Sequence, residues 1–174
     1  MKHLFCLTLA FLFTSAGNAQ LASPNDSGVT FGHVHLNVSD LEEHKQIWVD
    51  HFNGKIVDRG SHSVIKLPNM MITLAEQKPT MDSIETAMHH FGFKVRRMDR
   101  FLDKWRAAGL KVGSMFLGAE GQLNAYVTLP DGVEVEMQED QGLQEEITGY
   151  HVHWFVDNAA DILRWYVDMF DLEI

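Results

Sequence analysis

Three times along this chain a histidine opens a run closed by valine, and each time a helical pattern carrying a tryptophan follows. The runs are His33-Val34-His35-Leu36-Asn37-Val38, His90-Phe91-Gly92-Phe93-Lys94-Val95 and His151-Val152-His153-Trp154-Phe155-Val156. Trp48, Trp105 and Trp165 follow their opening histidines at nearly the same distance, and His33, His90 and His151 recur at nearly the same interval. Self-similarity at a fixed period marks a repeated supersecondary unit that buries its apolar face only by stacking on neighbouring copies. The chemistry of such a chain belongs where the copies meet.

Within the first run, alternation places His33, His35 and Asn37 on one face of a strand and Val34, Leu36 and Val38 on the other. Ser39 or Asp40 then supplies an N-cap, and Leu41, Ile47, Trp48 and Phe52 form an apolar helical stripe that ends near Asn53-Gly54. The helix should cover the apolar face of the sheet and leave the histidines on the opposite, concave face. Strands are predicted at 55–59, 62–67 and 70–75, the last two joined through Pro68-Asn69. After a linker from Glu76 to Met88 the order repeats. His90, Gly92 and Lys94 take the polar face, a helix covers 99–108 with Phe101, Leu102 and Trp105 inward, and strands follow at 110–116, 123–129 and 133–138. Pro130-Asp131-Gly132 makes the last turn. In the closing strand Val133, Val135 and Met137 face the helix and Glu134, Glu136 and Gln138 face the histidines.

The third copy predicts a strand over 150–156 and a helix over 158–170 with Ile162, Trp165, Met169 and Phe170 inward. No further strands follow it, so residues 147–174 read as the truncated start of a second domain of the same type. The fold class is therefore α+β: paired βαβββ modules over 30–76 and 89–140, each a mixed sheet with its helix on the convex face, plus an incomplete third module. The unpaired strand over 150–156 offers an edge for docking on a sheet or for a homodimer.

The first nineteen residues differ from the rest. Lys2 and His3 precede an apolar run from Leu4 to Phe13 and small residues ending at Ala19, the pattern of a cleaved secretory signal peptide. The run is about half the roughly 20 residues needed to span a bilayer. Residues 20–29 read as a leader. The expectation is an exported protein, periplasmic or extracellular, with no membrane segment after cleavage. Cleavage also removes Cys6, the only cysteine, which leaves no disulfide, thiolate ligand or cysteine nucleophile. Net charge of the full chain is −10, and the one basic cluster is Lys94-Val95-Arg96-Arg97, which argues against nucleic-acid binding.

A histidine on a half-buried strand, or a glutamate near a sheet edge, is more often structural or solvated than a ligand. Joint placement changes the weighing. His33 and His90 occupy equivalent positions in two successive modules, and Glu136 falls on the same face in the closing strand of the second. Two imidazoles and a carboxylate suit a divalent metal that keeps positions open for substrate, Fe(II) first, with Mn, Ni or Zn as alternatives. Glu134 is the rival to Glu136. His35 reads either as a general base or as a polar residue of the cavity wall, and Tyr126 either as a hydrogen-bond donor to a bound oxygen or as packing.

The paired βαβββ pattern resembles the vicinal oxygen chelate superfamily, which includes glyoxalase I, bleomycin-resistance proteins, fosfomycin-resistance enzymes and extradiol dioxygenases. The motifs that carry the resemblance are Gly32-His33-Val34-His35-Leu36-Asn37-Val38-Ser39-Asp40, the second opening at His90, and Pro130-Asp131-Gly132-Val133-Glu134-Val135-Glu136. The resemblance implies a U-shaped cavity with metal ligands His33, His90 and Glu136, and a small substrate that chelates the ion through vicinal oxygens. Where glyoxalase I carries a second glutamate this chain has Thr73, so the site resembles the three-ligand dioxygenase version. An exported protein would also meet little of the glutathione adduct that glyoxalase I needs. The competing reading is a metal-free sequestration module of the bleomycin-resistance type, or an inactive fragment of a four-module protein. His151 and His153 are expected to ligate only if a partner chain completes their half-site.

Overall fold

The computed structural model describes residues 21–59 and 62–173. The signal-peptide expectation for residues 1–19 lies outside the described residues.

Two sheets carry the fold. The first module gives β1 (His33–Val38), α1 (Leu41–Phe52), β2 (Lys55–Arg59), β3 (His62–Leu67) and β4 (Met70–Glu76), and the second gives β5 (Met88–Val95), α2 (Met98–Ala107), β6 (Lys111–Leu117), β7 (Leu123–Thr128) and β8 (Glu134–Glu139). The third copy forms β9 (Ile147–Trp154) and α3 (Ala159–Phe170). The first sheet has the order β1-β4-β3-β2 and the second the order β6-β7-β8-β5-β9. In each module the opening strand runs parallel to the closing one, β1 with β4 and β5 with β8, and the other pairs within a module are antiparallel. The α+β class and the paired βαβββ modules thus stand as the sequence predicts.

Local chemistry explains the element ends. The Asp40 carboxylate accepts from the Glu43 backbone N–H and caps α1, which stops at Asn53 in the left-handed region. Asn69, also left-handed, turns β3 into β4, and consecutive positive φ at Asp131 and Gly132 turn β7 towards β8.

The modules share one core. Trp48 of α1 stacks on Phe91 of β5 at 6.1 Å, and Phe52 meets Phe93 at 5.1 Å and Trp105 of α2 at 5.9 Å. The helix of the first module therefore packs on the sheet of the second as well as on its own strands. Trp48 and Trp105 are fully buried.

The third copy meets one expectation and departs from another. Its strand docks on a sheet edge within this chain: β9 lies antiparallel against β5, with His153 opposite His90 and His151 opposite Gly92. Its helix is not folded inward. Trp165 is 52% exposed and Met169 61% exposed, and α3 has no buried residue. The amphipathic stripe is present, but β9 covers it only in part, through contacts such as Tyr166 with Trp154 at 6.4 Å, and the rest of the apolar surface stands open. No helix among the described residues is long and apolar enough to cross a membrane.

Candidate metal centre

The polar face of the second sheet gathers titratable side chains from three strands. β5 supplies His90, only 2% exposed, β8 supplies Glu136, 8% exposed, and β9 supplies His151 and His153. Alternation places Val135 and Met137 in the apolar core and turns Glu136 to the other face, where the parallel register sets it opposite Gly92.

His90 Nε2 lies 2.9 Å from Glu136 Oε2, and His151 Nε2 lies 3.3 Å from the same oxygen. Ligand atoms of His90, Glu136 and His153 all fall within 4.8 Å of one another. Ligands about one ion with bonds of about 2.1 Å sit roughly 3 to 4.2 Å apart, so a small inward movement of these side chains would seat a divalent cation. The donor set fits such an ion, with neutral imidazoles and a carboxylate and no thiolate. On the far side of His90, its Nδ1 lies 2.9 Å from Nδ1 of His89. If His90 Nε2 turns its lone pair to a cation, Nδ1 must carry the proton, and His89 is placed to accept it as a hydrogen bond.

Electrostatics favour this use. Burial raises the Glu136 pKa, but hydrogen bonds from His151 and His90 outweigh it and hold the carboxyl down at about 2. His153 is lowered by burial and then by its imidazole neighbours His90 and His151, which keeps it neutral and able to ligate. Burial followed by the charges of Glu136 and Glu134 pushes Tyr126 up to about 12. Its hydroxyl stays protonated and can donate a hydrogen bond, but it cannot supply a phenolate base at neutral pH. The ring stands edge-on to His90 at 5.2 Å and stacks on Phe116 at 5.6 Å.

Two glycines show that β9 is fitted to this place. A Cβ at Gly92 would enter the ring of His151, 2.8 Å from its Nδ1. A Cβ at Gly149 would collide with the Cβ of Met70, on the turn where the Pro68 carbonyl accepts from the Gly149 N–H at 2.8 Å. Glycine inside a strand weakens it unless something must approach closely, and here a histidine ring and a neighbouring turn do.

The sequence-based site residues divide between the two sheets. His90 and Glu136 are brought together, and Glu136 rather than Glu134 faces His90. His33 is exposed on β1 of the first sheet and lies outside the His90–Glu136–His153 group. His35 is also exposed, and its ring meets His62 edge-on at 5.7 Å. Tyr126 lies beside the group, on the face assigned to it. His151 and His153, which the sequence offers only as a half-site awaiting a partner chain, join the group within this chain because β9 pairs with β5. The mid-strand Gly92 is the one signal in the sequence for that pairing. His89 carries no sequence signal that separates it from a solvated histidine.

A family model described as the Glyoxalase/Bleomycin resistance protein/Dioxygenase superfamily matches residues 30–137. No curated protein matches. Among solved structures, a fosfomycin resistance protein, FosX, from Listeria monocytogenes is 16% identical, with a TM-score of 0.53 over 68% of this chain and 96% of that one. Lactoylglutathione lyase from Agrobacterium tumefaciens is 18% identical, with a TM-score of 0.51 over 67% of this chain and 97% of that one. A FosX variant complexed with Mn(II) and 1S,2S-dihydroxypropylphosphonic acid is 19% identical, with a TM-score of 0.52 over 69% of this chain and 94% of that one. At these identities the structures speak for the fold alone, while the family model spans well over half of the chain. The chain belongs to the glyoxalase/bleomycin resistance/dioxygenase superfamily.

Proposed function

We propose that this chain is a metal-dependent enzyme acting on a small oxygen-bearing substrate, with His90, Glu136 and His153 as the ligands of a divalent ion. The observation that carries this reading is the convergence of three ligand atoms within 4.8 Å, two on the buried side chains of His90 and Glu136 and the third on exposed His153. Its supports are the neutral state of His153 and the ionised state of Glu136. His153 takes the place that the sequence comparison of modules gave to His33. The ion, Fe(II) or Mn(II) by its donor set, supplies Lewis-acid polarisation of substrate oxygens when bound. The protein's own groups do the rest. Glu136, His90 and His153 orient the ion, the Tyr126 hydroxyl donates to a substrate oxygen, and Phe116 walls one side. The Mn(II) and vicinal diol held by the FosX variant are consistent with this use of the fold. Two imidazoles and one carboxylate, the donor set of non-haem Fe(II) oxygenases, favour the dioxygenase-like over the glyoxalase I version. The protein is proposed to act after export, as residues 1–19 suggest, and the mass of the mature chain tests that.

A metal-free binding module is the second reading. It is favoured by the hydrogen-bonding distances that link Glu136 to His90 and His151. Metal content separates the two. Protein purified without chelator should carry or take up one equivalent of metal, and His33→Ala should keep it while His90→Ala and His153→Ala lose it. Absence of uptake by the unaltered protein overturns the enzyme reading. Loss in His33→Ala with retention in His153→Ala would return the site to the first sheet.

A further inference from the structure

Glu136 presents two oxygens, and the structure treats them differently. Oε2 faces the imidazoles of His90 and His151. Oε1 accepts a hydrogen bond from Asn124 Nδ2 at 2.7 Å. Asn124 sits on β7 opposite Gln138, near the pair formed by Tyr126 and Glu136, and is only 4% exposed. An ionised carboxylate can only accept, so the amide must turn its nitrogen to Glu136 and its oxygen away. That oxygen is buried without a hydrogen-bond partner. An unsatisfied buried acceptor costs about 1–3 kcal/mol. A leucine would avoid that penalty only by stripping a charge-assisted donor from the buried carboxylate of Glu136, so the role of the asparagine lies in that bond.

We infer that Asn124 is a positioning residue for the metal centre: by holding Oε1 it dedicates Oε2 as the single ion-facing oxygen of Glu136. A carboxylate free to rotate could clasp an ion through both oxygens and occupy a position that substrate needs. Held at Oε1 by the Asn124 amide, it offers one. The inference rests on the proposed metal-dependent reading and goes beyond it by assigning a role to a residue that touches neither ion nor substrate.

Co(II) is the probe, because its visible spectrum reports coordination number and geometry. The full-length mature protein, Asn124→Leu and Asn124→Ser are titrated with Co(II), and the thermal midpoint of each metal-free protein is measured alongside. Leucine keeps the volume and removes the donor, while serine is too short to reach Oε1 and guards against a folding failure of the larger change. The expected result is an affinity loss of about 10–100-fold in both variants, with an altered visible spectrum. The metal-free midpoints of both variants should lie well above the titration temperature, so that the affinity loss is read on folded protein. In a Glu136→Ala background the Asn124→Leu change should have no further effect on affinity, because its only route to the ion has been removed. Unchanged affinity and spectrum in both variants, with normal Co(II) uptake by the parent, overturn the role of Asn124 and leave the metal-dependent reading standing. A parent protein that takes up no Co(II) overturns both.

Discussion

The first and second modules have the same strand order and the same parallel pairing of opening and closing strands, yet they end with different faces. On the first, His33 and His35 stand exposed over a sheet whose opening strand has no described neighbour beyond β4. On the second, the equivalent His90 is buried, because β9 lies along the free edge of β5 and brings two more histidines towards Glu136. One added strand separates a solvated polar face from a candidate metal centre. On the proposed reading, a module supplies the scaffold and two of the ligands, and what docks against its opening strand completes the site.

The largest effects should come from the tryptophans, and they set the first two copies against the third. Trp48→Ala and Trp105→Ala remove fully buried rings from the shared core, and each should destabilise by about 3–5 kcal/mol. Trp165→Ala, at the matching position of the third copy, should leave stability almost unchanged, because half of its ring surface already meets water. Chemical denaturation of the three variants checks this, and a large cost at Trp165 would mean that α3 is buried against something in solution. Next comes Gly92→Ala, which attacks the docking of β9 directly. The new Cβ must displace the His151 ring, at an overpacking cost of about 1–3 kcal/mol. The displaced ring shifts β9, and with it the proposed ligand His153. Metal affinity should fall, while Gly32→Ala on the first module, whose Cβ would meet nothing within 4 Å, leaves it unchanged. Equal metal uptake in both would detach His151 from the site.

Most of the fold is legible in the sequence because the signals are local. Alternation locates the strands, the Asp40 cap and the turns at Asn69 and Asp131 locate their ends, and the spacing of His33 and His90 reveals the modules. His90 and Glu136 can be paired because they lie on the opening and closing strands of one module, whose parallel pairing sets them on the same face. The partner of an edge strand is not local information. Nothing in the composition of residues 150–156 says whether they pair with β5, with a second chain or with nothing, so His153 cannot be separated from His33 as a candidate third ligand. The outward face of α3 is illegible for the same reason: periodicity gives the stripe of a helix, but what covers it depends on tertiary partners. Asn124 falls on the right face by alternation, and its contact with Glu136 needs the register of β7 on β8.

The joint between the two modules offers the mildest test, and it can be read through pH. His44 of α1 is fully buried, its Nε2 3.3 Å from Asp131 Oδ2 on the turn before β8, and the same oxygen accepts from the Ser39 backbone N–H at 2.7 Å. Burial lowers the His44 pKa below its ordinary 6.5, and the nearby charges of Asp131, Glu43 and Asp40 only partly oppose it. In the unfolded chain His44 takes up a proton near pH 6.5, whereas in the folded protein it resists. Between those two values the unfolded state binds more protons, so the contribution of His44 is complete above about pH 6.5 and declines as pH falls towards the lower folded value. His51 shifts in the same direction, by burial first and then by the charge of Lys104, so the unaltered protein should show an acid limb with more than one source. His44→Gln keeps a polar group of similar length beside Asp131 and cannot titrate. Thermal midpoints followed from mildly alkaline to mildly acidic pH should therefore fall less steeply in the variant than in the parent. Parallel curves would mean that His44 is already protonated against Asp131 in the fold. The latch between α1 and the β7–β8 turn would then be an ion pair rather than a buried neutral contact, and the first module would hold the second by charge where the second holds β9 by shape.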